Sequence, residues 1–179
     1  KYAAAFEETS LLTNDMVQVY RVLVAFFIMV FITDYLFLGP TNSLFLSGNL
    51  NFWGLVMTFM TMLLQFKSAH YETLKSNSEA EDKDAVFPYS TWYKRNGLTS
   101  LEIAQAVNLV VFIAFWIRFF TEGWVIYDDG YTFNSFGAVM WLYIHLKQIL
   151  IHNVPLLLTT LSIYMSNLIF LETDWWLGA

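Results

Sequence analysis

Two stripes of polar side chains run through an otherwise apolar chain and hold the residue types capable of chemistry. At 3.6 residues per turn, Trp141, His145, Gln148 and His152 fall on one helix face, and Thr159, Ser162 and Ser166 continue it beyond Pro155. Earlier in the chain Thr58, Thr61 and Gln65 stand at i, i+3 and i+7, a second polar face on a second helix. Asp34 is an acid inside an otherwise apolar run, which makes it a candidate for a functional role or for a group that snorkels to water. Imidazoles invite a haem or a metal. His145 and His152 share one face of one helix, so they do not approach a single iron from opposite sides, and with one acid they show no metal-ligand spacing. No cofactor and no metal is therefore expected. With no cysteine, disulfides and thiolate metal sites are excluded outright.

The surroundings of these residues are set by composition. The chain of 179 residues is 57% hydrophobic, 19% aromatic and only 13% charged, about half the charged share of a soluble domain. Lipid must be its solvent. A polar group in hydrocarbon costs several kcal/mol unless partnered, so both stripes should face other helices or a small wet cavity. The net charge of −6 is spread over the termini and loops, and no basic patch suits nucleic acid. The chain begins with Lys1, and its first fifteen residues resemble neither a signal nor a transit peptide.

The fold class that follows is all-α, a polytopic membrane helix bundle of four or five spans forming one domain over residues 1–179. Spans are expected at about 16–38, 52–66 and 102–120. Gly39 and Pro40 should stop the first, Trp53 suits the interface at the start of the second, and Thr99 with Glu102 forms a capping-box pattern opening the third. Residues 67–96 read as an exposed hydrophilic loop, and the segment from Glu122 to Gly130 as an aromatic-rich turn. Residues 133–151 and 154–171 make two spans by hydropathy alone. A hairpin whose loop is only His152 and Asn153 is too short, and the favoured reading is a lead-in helix, a bend at Pro155 and one span beyond it. Under either count the basic residues concentrate on one side, which places the N-terminus and the 67–96 loop in the cytosol or mitochondrial matrix.

Several segments then resemble a family. His152, Asn153, Val154 and Pro155, followed by three leucines and a span ending near Asp174, Trp175 and Trp176, look like the histidine motif of the androgen-induced and androgen-dependent membrane proteins. Residues 52–65, an aromatic pair followed by Thr58 and Phe59 and closing on Gln65, are similar to that family's threonine-bearing helix, and Phe115, Trp116 and Ile117 also fit. Its members are six-span lipid hydrolases that cleave fatty-acid esters of hydroxy fatty acids. The resemblance implies that Thr58 is the nucleophile and His152 its base; Gln148, Thr61, Asp34 and His145, read from the polar faces and the apolar run themselves, are the supporting polar groups expected. A Thr hydroxyl needs a base within hydrogen-bond reach, so the relative placement of Thr58 and His152 decides this expectation.

Composition supports an alternative, a non-catalytic accessory subunit of a large membrane complex such as a mitochondrial respiratory assembly. Aromatic residues at most span ends, few charges and polar stripes suited to helix contacts all fit it. The partners expected are membrane lipids and other membrane subunits, in the endoplasmic reticulum or the mitochondrial inner membrane. A transporter fragment is disfavoured because only Asp34 and Glu102 approach the membrane as acids.

Overall fold

The computed structural model describes residues 14–37, 48–77, 89–122 and 133–165. Four helices carry them: α1 (Asn14–Phe37), α2 (Leu50–Asn77), α3 (Ser90–Glu122) and α4 (Phe133–Met165). Three are long and apolar enough to cross a membrane, over Asp15–Asp34 in α1, Thr91–Thr121 in α3 and His145–Met165 in α4. α2 falls short of that standard because Thr58, Thr61, Gln65, Ser68 and then Glu72 dilute its apolar character.

Side-chain contacts fix the helix directions. Tyr20 donates to the Leu158 carbonyl near the start of α1, while Asp34 near its end pairs with Lys147, so α1 and α4 are antiparallel. Gly54 abuts Asn108 and Gly97 abuts Gln65, so α2 and α3 are antiparallel. Trp116 bonds Asn153 and Gln105 bonds Thr160, which makes α3 and α4 antiparallel as well. Arg21 reaches the Gln65 carbonyl, setting the early turns of α1 beside the later turns of α2. The result is an up-down-up-down bundle. α2 is its centre, since it packs extensively along both α1 and α3 and also touches α4.

The apolar core is small and lies where α1, α2 and α4 meet, with Val24, Ala25, Ile28, Leu55, Met62 and Ile151 buried together. Outward faces are strongly apolar instead, and Phe26 is 70% exposed, Phe120 79% and Leu157 65%. Apolar groups outside and polar groups such as Thr58, Thr61, Gln65, Ser68 and Asn108 inside are the arrangement expected where lipid replaces water.

Two expectations about element ends need correction. The 67–96 segment is not a single loop, for α2 continues to Asn77 and α3 begins at Ser90. Thr99 is not a cap; it lies inside α3 and donates to the Arg95 carbonyl one turn back. The reason is tertiary: Lys94 pairs with Glu72 at 3.1 Å and the Tyr71 and Tyr93 rings stack with centroids 5.2 Å apart, so the two helices hold each other past the end of their apolar stretches.

The other correction concerns Pro155. Residues 133–165 are one helix with Pro155 inside it, and His152 and Asn153 are neither a loop nor the boundary of two helices. Proline cannot donate to the Ile151 carbonyl, but nearby side chains bond the backbone on either side. Asn153 donates to the Ile149 carbonyl at 2.7 Å, and the Thr159 hydroxyl lies 2.9 Å from the Pro155 carbonyl. Neither bond reaches the Ile151 carbonyl; the helix runs through the buried proline without that ladder bond, as helices packed in a membrane bundle tolerate. The expected turn from Glu122 to Gly130, the side chain of Trp141, Ser166 and the aromatic close at Trp175 and Trp176 lie outside the described residues.

Candidate functional site

The polar stripe of α2 is longer than its three central residues. Asn51, Gly54, Thr58, Thr61, Gln65 and Ser68 follow one another at three- and four-residue steps, and all are buried. They face a bundle interior to which α3 contributes Asn108, and α4 contributes His152, Thr159 and Ser162.

Thr58 is completely buried, and its hydroxyl is engaged on both sides. It donates to the Gly54 carbonyl at 2.8 Å and accepts from Asn108 Nδ2 at 2.8 Å. Gly54 makes this possible, since a Cβ there would stand 2.5 Å from Asn108 Oδ1. The glycine lets α3 approach closely enough for Asn108 to reach across.

His152 belongs to another level of the bundle. Its Nδ1 lies 2.7 Å from the Gln148 carbonyl, which selects the tautomer with the proton on Nδ1. Nε2 then carries a lone pair, and Asn51 Nδ2 lies 3.5 Å from it. The ring stacks on Phe115 with centroids 4.5 Å apart and planes 23° from parallel. The next residue, Asn153, accepts from Trp116 Nε1 at 2.8 Å.

Both helices facing His152 measure the same separation from Thr58. Along α2, Asn51 precedes Thr58 by two turns, and along α3, Phe115 follows Asn108 by two turns, about 10 Å in each case. Thr58 and His152 thus face the same interior from different heights, and each completes its hydrogen bonds with other groups. No hydrogen bond joins them.

The supporting residues divide likewise. Thr61 is buried one turn beyond Thr58, and its hydroxyl has no hydrogen-bond partner. Gln148 meets His152 through its backbone carbonyl. His145 is buried in α4, and Asp34 is committed to its ion pair with Lys147 at the far end of α1. Among the described residues, no three His, Asp or Glu side chains are grouped as metal ligands.

A third level joins α3 to α4. Gln105 Nε2 donates to the Thr160 hydroxyl at 2.9 Å, and the Thr159 hydroxyl lies 2.6 Å from Gln105 Oε1. A fourth level joins all four helices at Gln65. Its Oε1 accepts from Ser162, its backbone carbonyl from Arg21, and its side chain lies against Gly97. Asn51, Gly54, Ser68 and Arg21 were not singled out from the sequence as members of the site. The signal for the first three was present, because they extend the Thr58, Thr61 and Gln65 stripe at unbroken helical spacing. Arg21 carries no such signal.

Comparison of the chain with protein families, with curated proteins and with solved structures finds no match.

Proposed function

We propose that the chain is a non-catalytic, membrane-embedded subunit whose buried polar side chains lock its helices together within a larger membrane assembly. The observation that carries this reading is the separate commitment of Thr58 and His152. A hydroxyl that donates to Gly54 and accepts from Asn108 is tied into the helix contact, and no base is in reach of its proton. Each polar level links two or more helices, which is the work of interhelical bonds in a bundle that gains little from apolar association in lipid. The broad apolar exterior suits a lipid or protein surround, and mitochondrial respiratory complexes are one class of assembly with small accessory subunits of this kind. In this reading the start of α1 and the end of α2, neighbours through Arg21 and Gln65, lie toward one membrane face.

The hydrolase reading implied by the resemblance is a second proposal, supported by one feature of His152. The Gln148 carbonyl holds its ring in the tautomer a general base requires, with Nε2 directed at the bundle interior. That reading needs Thr58 and His152 to close the two-turn gap between them.

Purified chain in detergent, incubated with fatty-acid esters and with a fluorophosphonate probe, separates the two proposals. The subunit reading expects no turnover and no labelling, with Thr58→Ala and His152→Ala indistinguishable from the parent. Turnover abolished by either change, with the double change costing no more than a single one, would establish the hydrolase instead.

A further inference from the structure

Three buried polar atoms on one face of α2 have no hydrogen-bond partner among the described residues. Thr61 Oγ1, Gln65 Nε2 and Ser68 Oγ make no hydrogen bond, and all three residues are 0% exposed. They stand at i, i+4 and i+7 and so share one face of α2. A buried donor left without an acceptor is costly, and three such groups on one stripe of α2 concentrate that cost. Such a cost is recovered when a ligand fills the site.

The chemistry of the site selects the ligand. The acceptor oxygen of Gln65 is already taken by Ser162, so its amide presents only N–H groups. The Thr61 and Ser68 hydroxyls can both donate. Arg21, 3% exposed, brings its guanidinium Nη1 to 3.5 Å from the Gln65 carbonyl, adding positive charge at the same level. Donors with a buried arginine beside them call for an oxygen-rich anion, and phosphate oxygens match guanidinium and hydroxyl donors well.

Depth is consistent with a phosphate. Ser162 lies within one turn of the end of the apolar window of α4, and Arg21 lies about 9 Å inside the start of that of α1. The site is near the boundary between hydrocarbon and headgroups, at the end of the bundle where α1 begins.

We infer that Gln65, Ser68 and Thr61, with Arg21 beside them, form a buried binding site for a phosphate oxyanion. The phosphate comes either from a phospholipid headgroup or from a free phosphate. The two sources occupy the stripe differently. A single phosphate reaches Gln65 and Ser68, one turn apart, whereas the phosphate and ester oxygens of a lipid extend far enough to reach Thr61, about 10 Å from Ser68 along the axis.

The test uses the full chain in phosphate-free neutral detergent. Thermal unfolding is followed against inorganic phosphate and, in separate samples, against phosphatidylglycerol added as the only phospholipid. A saturable rise in melting temperature is expected with at least one probe. Gln65→Met and Ser68→Ala should each weaken it at least tenfold; without ligand, Ser68→Ala should leave the melting temperature unchanged or raised, because it removes an unpartnered hydroxyl, whereas Gln65→Met should lower it, because the bond from Ser162 is lost as well. Thr61→Val should weaken the lipid response alone. A response to phosphatidylglycerol only identifies the headgroup as the source, and one to phosphate only identifies a free anion. Should Gln65→Met fail to fold, the smaller Ser68→Ala change carries the comparison. The absence of a saturable response to either probe, or a response equal in the parent and both variants, would overturn the site.

Discussion

Asn108 donates its side-chain amide to the Thr58 hydroxyl at 2.8 Å, joining α3 to α2 inside the bundle. Both residues are buried, Thr58 fully, so neither has water as an alternative partner. The bond explains why a threonine that resembles a nucleophile in its sequence setting is a structural link in the fold.

A double-mutant cycle measures that link. Thr58→Val and Asn108→Leu should each destabilise the bundle by about 1 kcal/mol, as is usual for polar contacts between membrane helices, and the double change should cost less than the sum. Steric trapping or denaturant titration in mixed micelles reads the coupling. Strict additivity would show that the two side chains do not interact.

Gly54 is where this contact is most sensitive to size. An added methyl would stand 2.5 Å from Asn108 Oδ1, so Gly54→Ala must displace the amide from Thr58 or spread α2 from α3. A loss of about 1–3 kcal/mol is expected, of the order of other overpacked sites. Pairing it with Asn108→Ala should recover part of the loss, since the obstructing atom is then gone; unfolding experiments on the two variants check this.

The ion pair of Lys147 with Asp34 ties α4 to the end of α1. Both side chains are largely buried, at 24% and 12% exposed, so either charge left alone near the membrane is costly. Lys147→Met should destabilise by about 1–3 kcal/mol, and Lys147→Met combined with Asp34→Asn should be less harmful than that single change. Melting temperatures of the three proteins decide the order.

Sidedness can be read directly because the chain has no cysteine of its own. Single cysteines at Gly48 and Asn77 sit at opposite ends of α2, just before its start and at its last residue. If α2 crosses the membrane, an impermeant maleimide should label one from outside sealed vesicles and the other only after lysis. Labelling of both from the same side would place α2 on or beside the bilayer and leave the three more apolar helices as the spans.

The residues themselves determined the solvent, the helical class and the two polar faces. Scarce charge and apolar runs of membrane length admit few other solutions, and the spacing of Thr58, Thr61 and Gln65 is a property of one helix that periodicity alone reveals. What periodicity does not contain is register between helices. The height of His152 relative to Thr58 depends on where α4 and α2 settle against α3. Close approach at Gly54 and Gly97, Phe115 stacking on His152 and the Trp116 to Asn153 bond are contacts between residues far apart in the chain, and they put His152 level with Asn51 and leave Thr58 to Asn108. Helix ends were decided in the same way. Thr99 and Glu102 have the local form of a start signal, but the Lys94 to Glu72 pair and the stacked Tyr71 and Tyr93 rings hold α3 helical before them, because a tertiary contact outweighs a cap worth about 1 kcal/mol. Pro155 likewise has the local form of a break, and only its burial among the packed helices, with Ile151 one turn before it buried as well, lets α4 run through it.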